Sequence, residues 1–304
     1  MKIISLAGLL LITANSYAKQ IAITFDDAPL AGSVVMTGEE KTNRIIQHLQ
    51  RAQVPDALFF VTTGNIKSEA DSKRLKQYTK SGYHLAHHSH THLSANRSKT
   101  SDYLTDFDKG FDILKGYDNT LNLHRFPFLH YGASADKRQA IATHIEKKGY
   151  DYGYVTVDNF DWYLNSKLLS AKQNKLEIDS DKLGQLYVDT LWQNIDFYDS
   201  LAQEHLGHSP KHILLLHENE MAALYLDKLI AHIRAKGWQI ISPQKAYQDP
   251  IAQVYDPSTF NFNKQGRVAA ILNNQGVAKD KLRHPNENTE YLDELFEQYQ
   301  VIKK

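Results

Sequence analysis

The stretch Ile23–Leu30 (ITFDDAPL) runs from apolar, strand-forming residues directly into two adjacent aspartates, Asp26 and Asp27. Aspartate is a poor strand residue, and two neighbouring carboxylates repel each other. In parallel α/β architectures, however, ligands bind at the carboxyl ends of strands. We therefore interpret this stretch as a first strand that ends in a functional site. The simpler alternative is one aspartate that caps a helix and one that is solvated.

The chain alternates short apolar runs with segments of helical periodicity up to about residue 249. The predicted strands are Ile21–Phe25, Ala57–Val61, Tyr83–His88, Leu121–Phe126, Tyr152–Val157, His212–His217 and Trp238–Ile241. The predicted helices are Glu39–Gln53, Glu69–Lys80, Asp102–Lys115, Lys137–Lys148, Leu183–His205 and a segment around Leu226–Ile233 that ends at Gly237. Such alternation indicates parallel pairing through right-handed crossovers. An open doubly wound sheet and a barrel both fit, and seven strands in about 230 residues without a Gly-rich phosphate-binding turn favour the barrel.

The two ends of the chain differ from this central region. The first 18 residues contain Lys2, an apolar run and the small residues Ser16 and Ala18, a pattern typical of a cleaved secretory signal peptide. The apolar run has about ten residues, whereas a membrane span needs roughly 20. We predict a signal peptide at 1–18, one α/β domain at 19–249 and, at 250–304, an extension packed on that domain, with a late helix at Tyr291–Tyr299. The protein is expected to be exported, periplasmic or extracellular.

The overall composition excludes several classes of partner and ligand. The 304 residues include 35 basic and 35 acidic side chains, so the formal net charge is zero. This balance offers no general attraction for nucleic acid or for an anionic membrane surface. The chain has no cysteine, which excludes disulfides, a lipid-modified cysteine anchor and thiolate metal ligands. Any metal site must therefore use oxygen and nitrogen ligands.

A second unusual stretch, Tyr83–Ser94 (YHLAHHSHTHLS), contains five histidines in nine residues. His88 and His92 have a spacing that brings two imidazoles to one ion if the local turn is helical. His84 precedes His88 by the same interval, but it falls within the predicted strand, where such residues lie about 13 Å apart. With Asp27, the pair His88 and His92 offers two imidazoles and one carboxylate. The alternatives are surface decoration or a weak metal-scavenging tract.

Three further predicted strands end in ionisable groups. These groups are Arg125 in HRFPFLHYG, Asp158 and Asp161 beside Trp162 in VDNFDWYL, and His217 and Glu218 in ILLLHENE. Each has a plain structural explanation, such as a surface ion pair or a helix cap. Five strand ends with such groups are harder to explain in that way, because each group would need burial or pairing.

Five motifs of this chain resemble, in order, those of the polysaccharide deacetylases, carbohydrate esterase family 4. The motifs are TFDD (Thr24–Asp27), HSHTH (His88–His92), RFPF (Arg125–Phe128), DNFDW (Asp158–Trp162) and LLLH (Leu214–His217). The resemblance covers about residues 21–241. It implies a distorted seven-stranded (β/α) barrel with a C-terminal extension, a catalytic domain at 19–249 and metal-dependent removal of acetyl groups from sugars.

The resemblance also implies a role for each matching residue. Asp27, His88 and His92 correspond to the metal ligands, Asp26 to the catalytic base and His217 to the catalytic acid. Arg125 corresponds to the residue that orients the base, and Asp161 to the one that tunes the acid. Phe128, Trp162 and Tyr131 are assigned to substrate binding, with the Phe128 N–H as an oxyanion donor and Trp162 as an apolar wall.

The chain departs from the family pattern at several positions beside these motifs. Ala28 stands where a glycine is usual, Ala86 and His87 replace a common Gly-Asn pair, and Glu218 replaces a frequent aspartate. The segment between Trp162 and His217 is also long. None of these changes removes a metal ligand or a proton-transfer group, so they bear on substrate identity.

The expected function is a secreted hydrolase of the carbon–nitrogen bond in N-acetylated sugars, acting on chitin oligomers or a peptidoglycan-like glycan. The expected cofactor is one divalent ion, zinc first, with cobalt, nickel or manganese as alternatives. The alternatives are an O-acetyl esterase on xylan-type glycan, a non-catalytic periplasmic metal- or glycan-binding protein, and a hydrolase of a non-sugar amide. The expected partner is the acetylated glycan, with no nucleic acid, no membrane anchor after signal cleavage and no obligate protein partner.

Overall fold

The computed structural model describes residues 18–254 and 264–303, so the predicted signal peptide lies outside the described residues except for Ala18. The strands are β1 Gln20–Ala28, β2 Leu58–Val61, β3 His84–His87, β4 Thr120–His124, β5 Asp151–Tyr152, β6 His212–His217 and β7 Gln239–Ile240. The α-helices are α1 Gly38–Arg51, α2 Glu69–Lys80, α3 Thr100–Leu114, α4 Ala135–Lys147, α5 Asp161–Gln173, α6 Ser180–Leu206, α7 Glu220–Ala235, α8 Pro243–Ala246, α9 Arg267–Asn274 and α10 Thr289–Gln298. Short 3₁₀ turns at Thr63–Asn65 and Pro127–Leu129 follow β2 and β4.

The strands form one curled parallel sheet in the order β5-β4-β3-β2-β1-β6, and β7 pairs with the start of β1. The segment after β5 brings the two edges together, because Val157 forms a parallel bridge to Leu214 of β6. The predicted strand Tyr152–Val157 is therefore interrupted: its start pairs with β4 and its end with β6. The expected distorted (β/α) barrel is confirmed, and all carboxyl strand ends lie at one rim.

The helices cover the outside of the sheet with amphipathic faces. In α7 the predicted apolar positions Leu226, Leu229 and Ile233 are buried, and in α1 Ile45 and Leu49 are buried in the same core cluster. α7 begins at Asn219, whose side chain accepts a hydrogen bond from the Ala222 N–H. Within the described residues, no helix combines the length and the apolar content that a membrane crossing requires.

Two helices do not follow from apolar periodicity. In α5 the polar residues Asp161 and Asn165 are buried while Trp162 is exposed, so its pattern has no single apolar face. α9 is short, and nearly all of it is buried rather than one side only. A helix lacks the 3.6-residue period of apolar residues when its buried side includes polar site residues or when it is buried on all sides.

Residues 264–303 pack against the barrel and its helices. Val268, Leu272, Leu292 and Phe296 are buried in the main core cluster. The Arg267 N–H donates to a main-chain carbonyl oxygen, that of Val155, at 2.6 Å. α10 occurs where the late helical pattern predicts it. The domain boundary at residue 250 stays a prediction.

Candidate active site

Asp26 and Asp27 face one cavity because β1 contains a bulge where it ends. The β1–β2 register shifts between Phe25 and Ala28. Neighbouring residues of a regular strand point to opposite faces of the sheet. At the bulge, Asp26 continues the strand opposite His217 of β6, while Asp27 adopts a left-handed φ of 67°. Both aspartates therefore line the same cavity.

Asp27, His88 and His92 each place one potential ligand atom within 4.8 Å of the other two. Asp27 Oδ1 is 3.3 Å from His92 Nε2 and 3.7 Å from His88 Nε2. The ligand atoms of a tetrahedral zinc ion lie about 3.3 Å apart when the metal–ligand bonds are ~2.0–2.1 Å long. Both the spacing and the donor types therefore fit a divalent ion.

Hydrogen bonds orient two of these potential ligands. His88 Nδ1 donates to the Arg125 carbonyl oxygen at 2.8 Å, which leaves Nε2 as the unprotonated nitrogen on the side of Asp27. Thr62 Oγ1 donates to Asp27 Oδ1 at 3.1 Å. Burial and the neighbouring His92 lower the pKa of His88 well below its usual value. A neutral imidazole held at its second nitrogen is the form that binds a metal.

A loop brings His88 close to His92. The sequence spacing alone would have needed a helical turn to do this. Ser89 and His92 have φ values of 67° and 57°, which no right-handed helix contains. The Asp106 carboxylate on α3 holds this loop by accepting two of its backbone N–H groups, at 2.8 and 3.0 Å. Gly64 lies so close that a Cβ there would overlap the His90 carbonyl oxygen.

The other three histidines of the stretch have partners elsewhere. His84 Nδ1 lies 2.9 Å from Asp56 Oδ2, His87 Nδ1 lies 2.6 Å from His124 Nδ1, and His90 Nδ1 lies 2.9 Å from Thr63 Oγ1. These contacts agree with the choice of His88 and His92 among the five.

Asp26 is bound to a buried guanidinium. Arg125 Nη1 donates to Asp26 Oδ1 at 2.5 Å and to Thr24 Oγ1 at 2.9 Å, and Nε donates to the Gly153 carbonyl oxygen at 2.8 Å. The Arg125 side chain also lies over the Phe60 ring, 3.8 Å from its centroid. Burial raises the pKa of Asp26, and the charge of Arg125 opposes that rise only in part. The carboxylate is therefore rigidly placed and more basic than an exposed one.

His217 at the end of β6 is bound to the buried Asp161 at the start of α5. Its Nδ1–H donates to Asp161 Oδ1 at 2.7 Å, and its backbone N–H donates to Oδ2 at 2.9 Å. Burial lowers the pKa of His217, but the Asp161 carboxylate raises it more, to about 9. The imidazole is therefore protonated at neutral pH and can donate a proton from Nε2.

A cavity of about 510 Å³ lies at this rim. Its lining includes Asp26, Asp27, His88, His92 and His217. Phe128 and Trp162 also line it, with 51% and 43% of their surfaces exposed. The ring of Phe128 meets that of His92 edge-on, 4.4 Å between centroids. The cavity thus combines the five ionisable groups with an apolar wall, a combination typical of small-molecule sites.

Tyr131 and Asp158 were also singled out from the sequence, and only Asp158 lines the cavity. Tyr131 is buried, its hydroxyl donates to the Gln265 carbonyl oxygen at 3.1 Å, and it is not part of the cavity lining. Its assigned contact with substrate has no support from this position. Asp158 does line the cavity, where burial and the neighbouring Glu287 raise its pKa well above its usual value.

Glu218 has a structural role, although its sequence neighbour His217 lines the cavity. Its carboxylate is fully buried and accepts hydrogen bonds from Arg74 Nη2 at 2.8 and 3.0 Å and from the Tyr78 hydroxyl at 2.8 Å. It also accepts the Leu30 N–H at 2.6 Å, which ties the loop after β1 to β6. Glu218, which stands where the resembled family often has an aspartate, is thus engaged by buried groups and is not part of the cavity lining.

The cavity also contains residues that sequence reasoning missed. Arg97 and His130 come from loops of the barrel, and Lys264, Gln265, Arg283 and Glu287 come from the C-terminal extension. The sequence predicts that the extension packs on the barrel, but it does not predict that the extension lines the cavity. Only the cluster of charged and amide residues after residue 264 could have indicated it.

Comparison with known proteins agrees with the resemblance, and the matching family model spans the first three of the five motifs. Residues 13–153 match the family model described as polysaccharide deacetylase. The chain is 24% identical over 229 residues to YheN of Bacillus subtilis (strain 168), which is provisionally named a polysaccharide deacetylase; the match covers 74% of this chain and 67% of YheN.

Solved structures with a similar fold include enzymes and a pseudoenzyme. The chitin deacetylase of the fungal pathogen Colletotrichum lindemuthianum matches with a TM-score of 0.55 and 18% identity, over 80% of this chain and 93% of that one. A pseudoenzyme of carbohydrate esterase family 4 from Bacillus anthracis matches with a TM-score of 0.52 and 16% identity, over 75% of this chain and 65% of that one. At these identities the likeness concerns the fold alone, so the residues of the site must decide on activity.

Proposed function

From the membership of residues 13–153 in the polysaccharide deacetylase family, we propose that this protein is a metal-dependent deacetylase of N-acetylated glycans. The observation that supports it best is the combination of one group of three side chains and two ion pairs at one rim. Asp27 with two imidazoles fits a metal ion, Asp26 is paired with Arg125, and His217 is paired with Asp161. Binding of a metal or a glycan alone would need neither of the last two pairs.

The residues suit the two proton transfers of amide hydrolysis. Asp26, buried and held by Arg125, is placed to accept a proton from the attacking water. His217, which is protonated at neutral pH, is placed to donate a proton to the leaving amine. A divalent ion, when bound by Asp27, His88 and His92, would supply the Lewis acidity that activates water and polarises the acetyl carbonyl. The two adjacent aspartates would thus have separate tasks.

The choice of ion and of compartment is part of the proposal. Two imidazoles and one carboxylate suit zinc, and also cobalt, nickel or manganese, because affinity for such sites depends on availability and geometry. Export to the periplasm or the medium is proposed from Lys2, the apolar run after it and the small residues Ser16 and Ala18.

Acetate release tests the proposal directly. The metal-loaded protein is incubated with chitooligosaccharides, peptidoglycan glycan fragments and acetylxylan, with and without chelator. We expect acetate from an N-acetylated substrate, abolished by the chelator and restored by added metal. His88→Ala and His92→Ala should lose metal and activity, whereas His84→Ala, the matched control bound to Asp56, should keep both. Release of acetate from acetylxylan alone would indicate an esterase instead of an amide hydrolase. Metal binding without any release of acetate would indicate a pseudoenzyme.

A further inference from the structure

One wall of the cavity is cationic. Arg97, from the loop after the His88–His92 segment, and Lys264, from the C-terminal extension, both line the cavity and both have exposed side chains. Neither forms an ion pair with an acidic residue of the described part of the chain, whereas the buried Arg125 is paired with Asp26. The two charges therefore face the space that a bound glycan would occupy.

The other ionisable groups of this wall are one further cation, Arg283, and two buried acids, Asp158 and Glu287. Arg283 lies close enough to Asp158 and Glu287 to favour the charged form of both. Glu287 is buried and accepts hydrogen bonds from the Tyr198 hydroxyl and from Gln265 Nε2. Arg283 Nη2 donates to the Lys264 carbonyl oxygen at 3.4 Å, so this third cation lies beside Lys264, while burial raises the pKa of both acids.

The charges of these two cations affect the pKa of the nearby His130. It is 3% exposed, lines the cavity, and its Nδ1 lies 2.8 Å from Ser94 Oγ. Burial lowers its pKa to about 4, and Lys264 and Arg97 are the next largest causes. Its Nε2 has no hydrogen-bond partner in the structure. The imidazole is therefore neutral, and the positive charge around it comes from Arg97 and Lys264.

The backbone holds Lys264 at this place. Its N–H donates to the Leu129 carbonyl oxygen at 3.0 Å, in the turn that also presents Phe128 to the cavity. This hydrogen bond therefore fixes the backbone of Lys264 beside the turn that is proposed to bind substrate. A solvent-facing cation on a backbone fixed in this way loses less orientational freedom when it binds an anion.

We propose that Arg97 and Lys264 select glycans that have a carboxylate substituent close to the acetyl group to be removed. The inference rests on the proposed deacetylase function and adds the substrate class. A guanidinium matches a carboxylate with two parallel hydrogen bonds, and an ammonium adds a second charge without fixed geometry. A neutral chitin chain would leave both cations without a partner.

Two tetrasaccharides that differ only in lactyl carboxylates test the proposal. One is N,N′,N″,N‴-tetraacetylchitotetraose, and the other is the alternating N-acetylglucosamine and N-acetylmuramic acid tetramer. We expect the acidic tetramer to have the lower KM, and the double variant Arg97→Gln/Lys264→Gln to raise that KM by about 5- to 30-fold at low salt. KM for the neutral tetramer should change much less, so the ratio of the two KM values measures the loss of the carboxylate contact. Lys76→Gln/Lys80→Gln, which removes the same number of charges from exposed positions of α2, is the matched control.

Binding separates this proposal from the function on which it rests. Calorimetric titration with the two tetramers gives a ratio of Kd values that needs no turnover. If no acetate is released but the acidic tetramer binds more tightly and loses that advantage in the double variant, the deacetylase proposal fails and this one stands. Equal Kd values for the two tetramers, or equal losses for both in the double variant, would overturn it.

Discussion

Asp26 and Asp27 are chemically identical neighbours whose surroundings differ. Asp26 is 3% exposed and bound to Arg125, while Asp27 accepts a hydrogen bond from Thr62 and lies 3.3 Å from His92 Nε2. A buried carboxylate beside a guanidinium suits proton transfer, and one between imidazoles suits metal binding. The proposed mechanism therefore predicts different failures when each is altered.

Asp27→Asn removes the anionic ligand, so we expect metal content to fall and turnover with it. Asp26→Asn keeps the shape of the side chain but cannot accept a proton. It should retain metal and bind substrate while kcat falls by roughly 10²–10⁴, the size of a general-base contribution. Metal analysis beside kinetics on both purified variants decides between the roles. Loss of metal from Asp26→Asn, with Asp27→Asn still loaded, would mean that the roles are exchanged.

Asp161 controls the protonation of His217, so its replacement should change the pH dependence. The pKa of His217 is raised to about 9, which means that the acid form persists below that pH and is lost as pH rises through it. Asp161→Asn removes the charge and presents an amide that can donate to Nδ1, which favours the neutral ring. We expect the alkaline limb of kcat to move to lower pH and kcat at pH 8 to fall at least tenfold.

The control is Asp112→Asn, the same change in a surface pair with Lys115. Its profile should match that of the unaltered protein. An alkaline limb that stays in place in Asp161→Asn would exclude His217 as the proton donor.

At the scale of elements, the site depends on two irregularities in the backbone. The bulge at the end of β1 turns both aspartates to the cavity, and the loop after β3 turns His88 toward His92. The loop is held from two sides, by Asp106 on α3 and by the turn at Thr63–Asn65 after β2, where Gly64 N–H donates to the His90 carbonyl oxygen at 2.6 Å. Metal affinity should therefore depend on residues that do not touch the ion.

Gly64→Ala tests this dependence, because its Cβ would overlap the His90 carbonyl oxygen and must displace the loop. We expect metal affinity to fall by about 10- to 100-fold, the usual effect of disturbing the supports of metal ligands. Competition with a chromogenic chelator measures it. Gly116→Ala is the control, since its nearest contact would be an ordinary 3.4 Å. Equal affinity in both variants would show that the loop is held without this close approach.

At the scale of the whole molecule, the C-terminal extension shares the hydrophobic core of the barrel and contributes to the cavity wall. Leu292 and Phe296 of α10 are buried with residues of α6, and Lys264 and Glu287 line the cavity. Such packing makes the extension part of the cooperative unit rather than an appended segment. Its loss should therefore affect both stability and substrate binding.

Leu292→Ala should lower the free energy of unfolding by about 2–5 kcal/mol, because Leu292 is fully buried and a cavity would remain. Urea unfolding followed by fluorescence and by circular dichroism should give a single coincident transition. Tyr291→Ala, at a residue 37% exposed, should change the free energy by less than about 1 kcal/mol. A separate early transition confined to the extension would show that it unfolds independently.

Much of the fold and part of the site could be predicted because they depend on local patterns. The apolar runs and helical periods located β1 to β4, β6 and most of the helices, since burial of one face imposes a period on the chain. They failed for β5, which is split between two partners, and for α5, whose buried Asp161 and Asn165 belong to a polar site. The order of the five motifs also indicated the resemblance to polysaccharide deacetylases, whose family model matches residues 13–153.

The sequence by itself determined most of the elements, favoured the barrel and indicated the motif side chains at the rim, because the period of apolar residues and the position of a strand end are local properties. Only the tertiary structure decided how those side chains meet. The bulge that unites Asp26 with Asp27, the loop that joins His88 to His92, and the arrival of Lys264 from the extension all depend on contacts between segments far apart in the chain. Such contacts leave no period in the sequence, because packing and not neighbouring residues sets the backbone there.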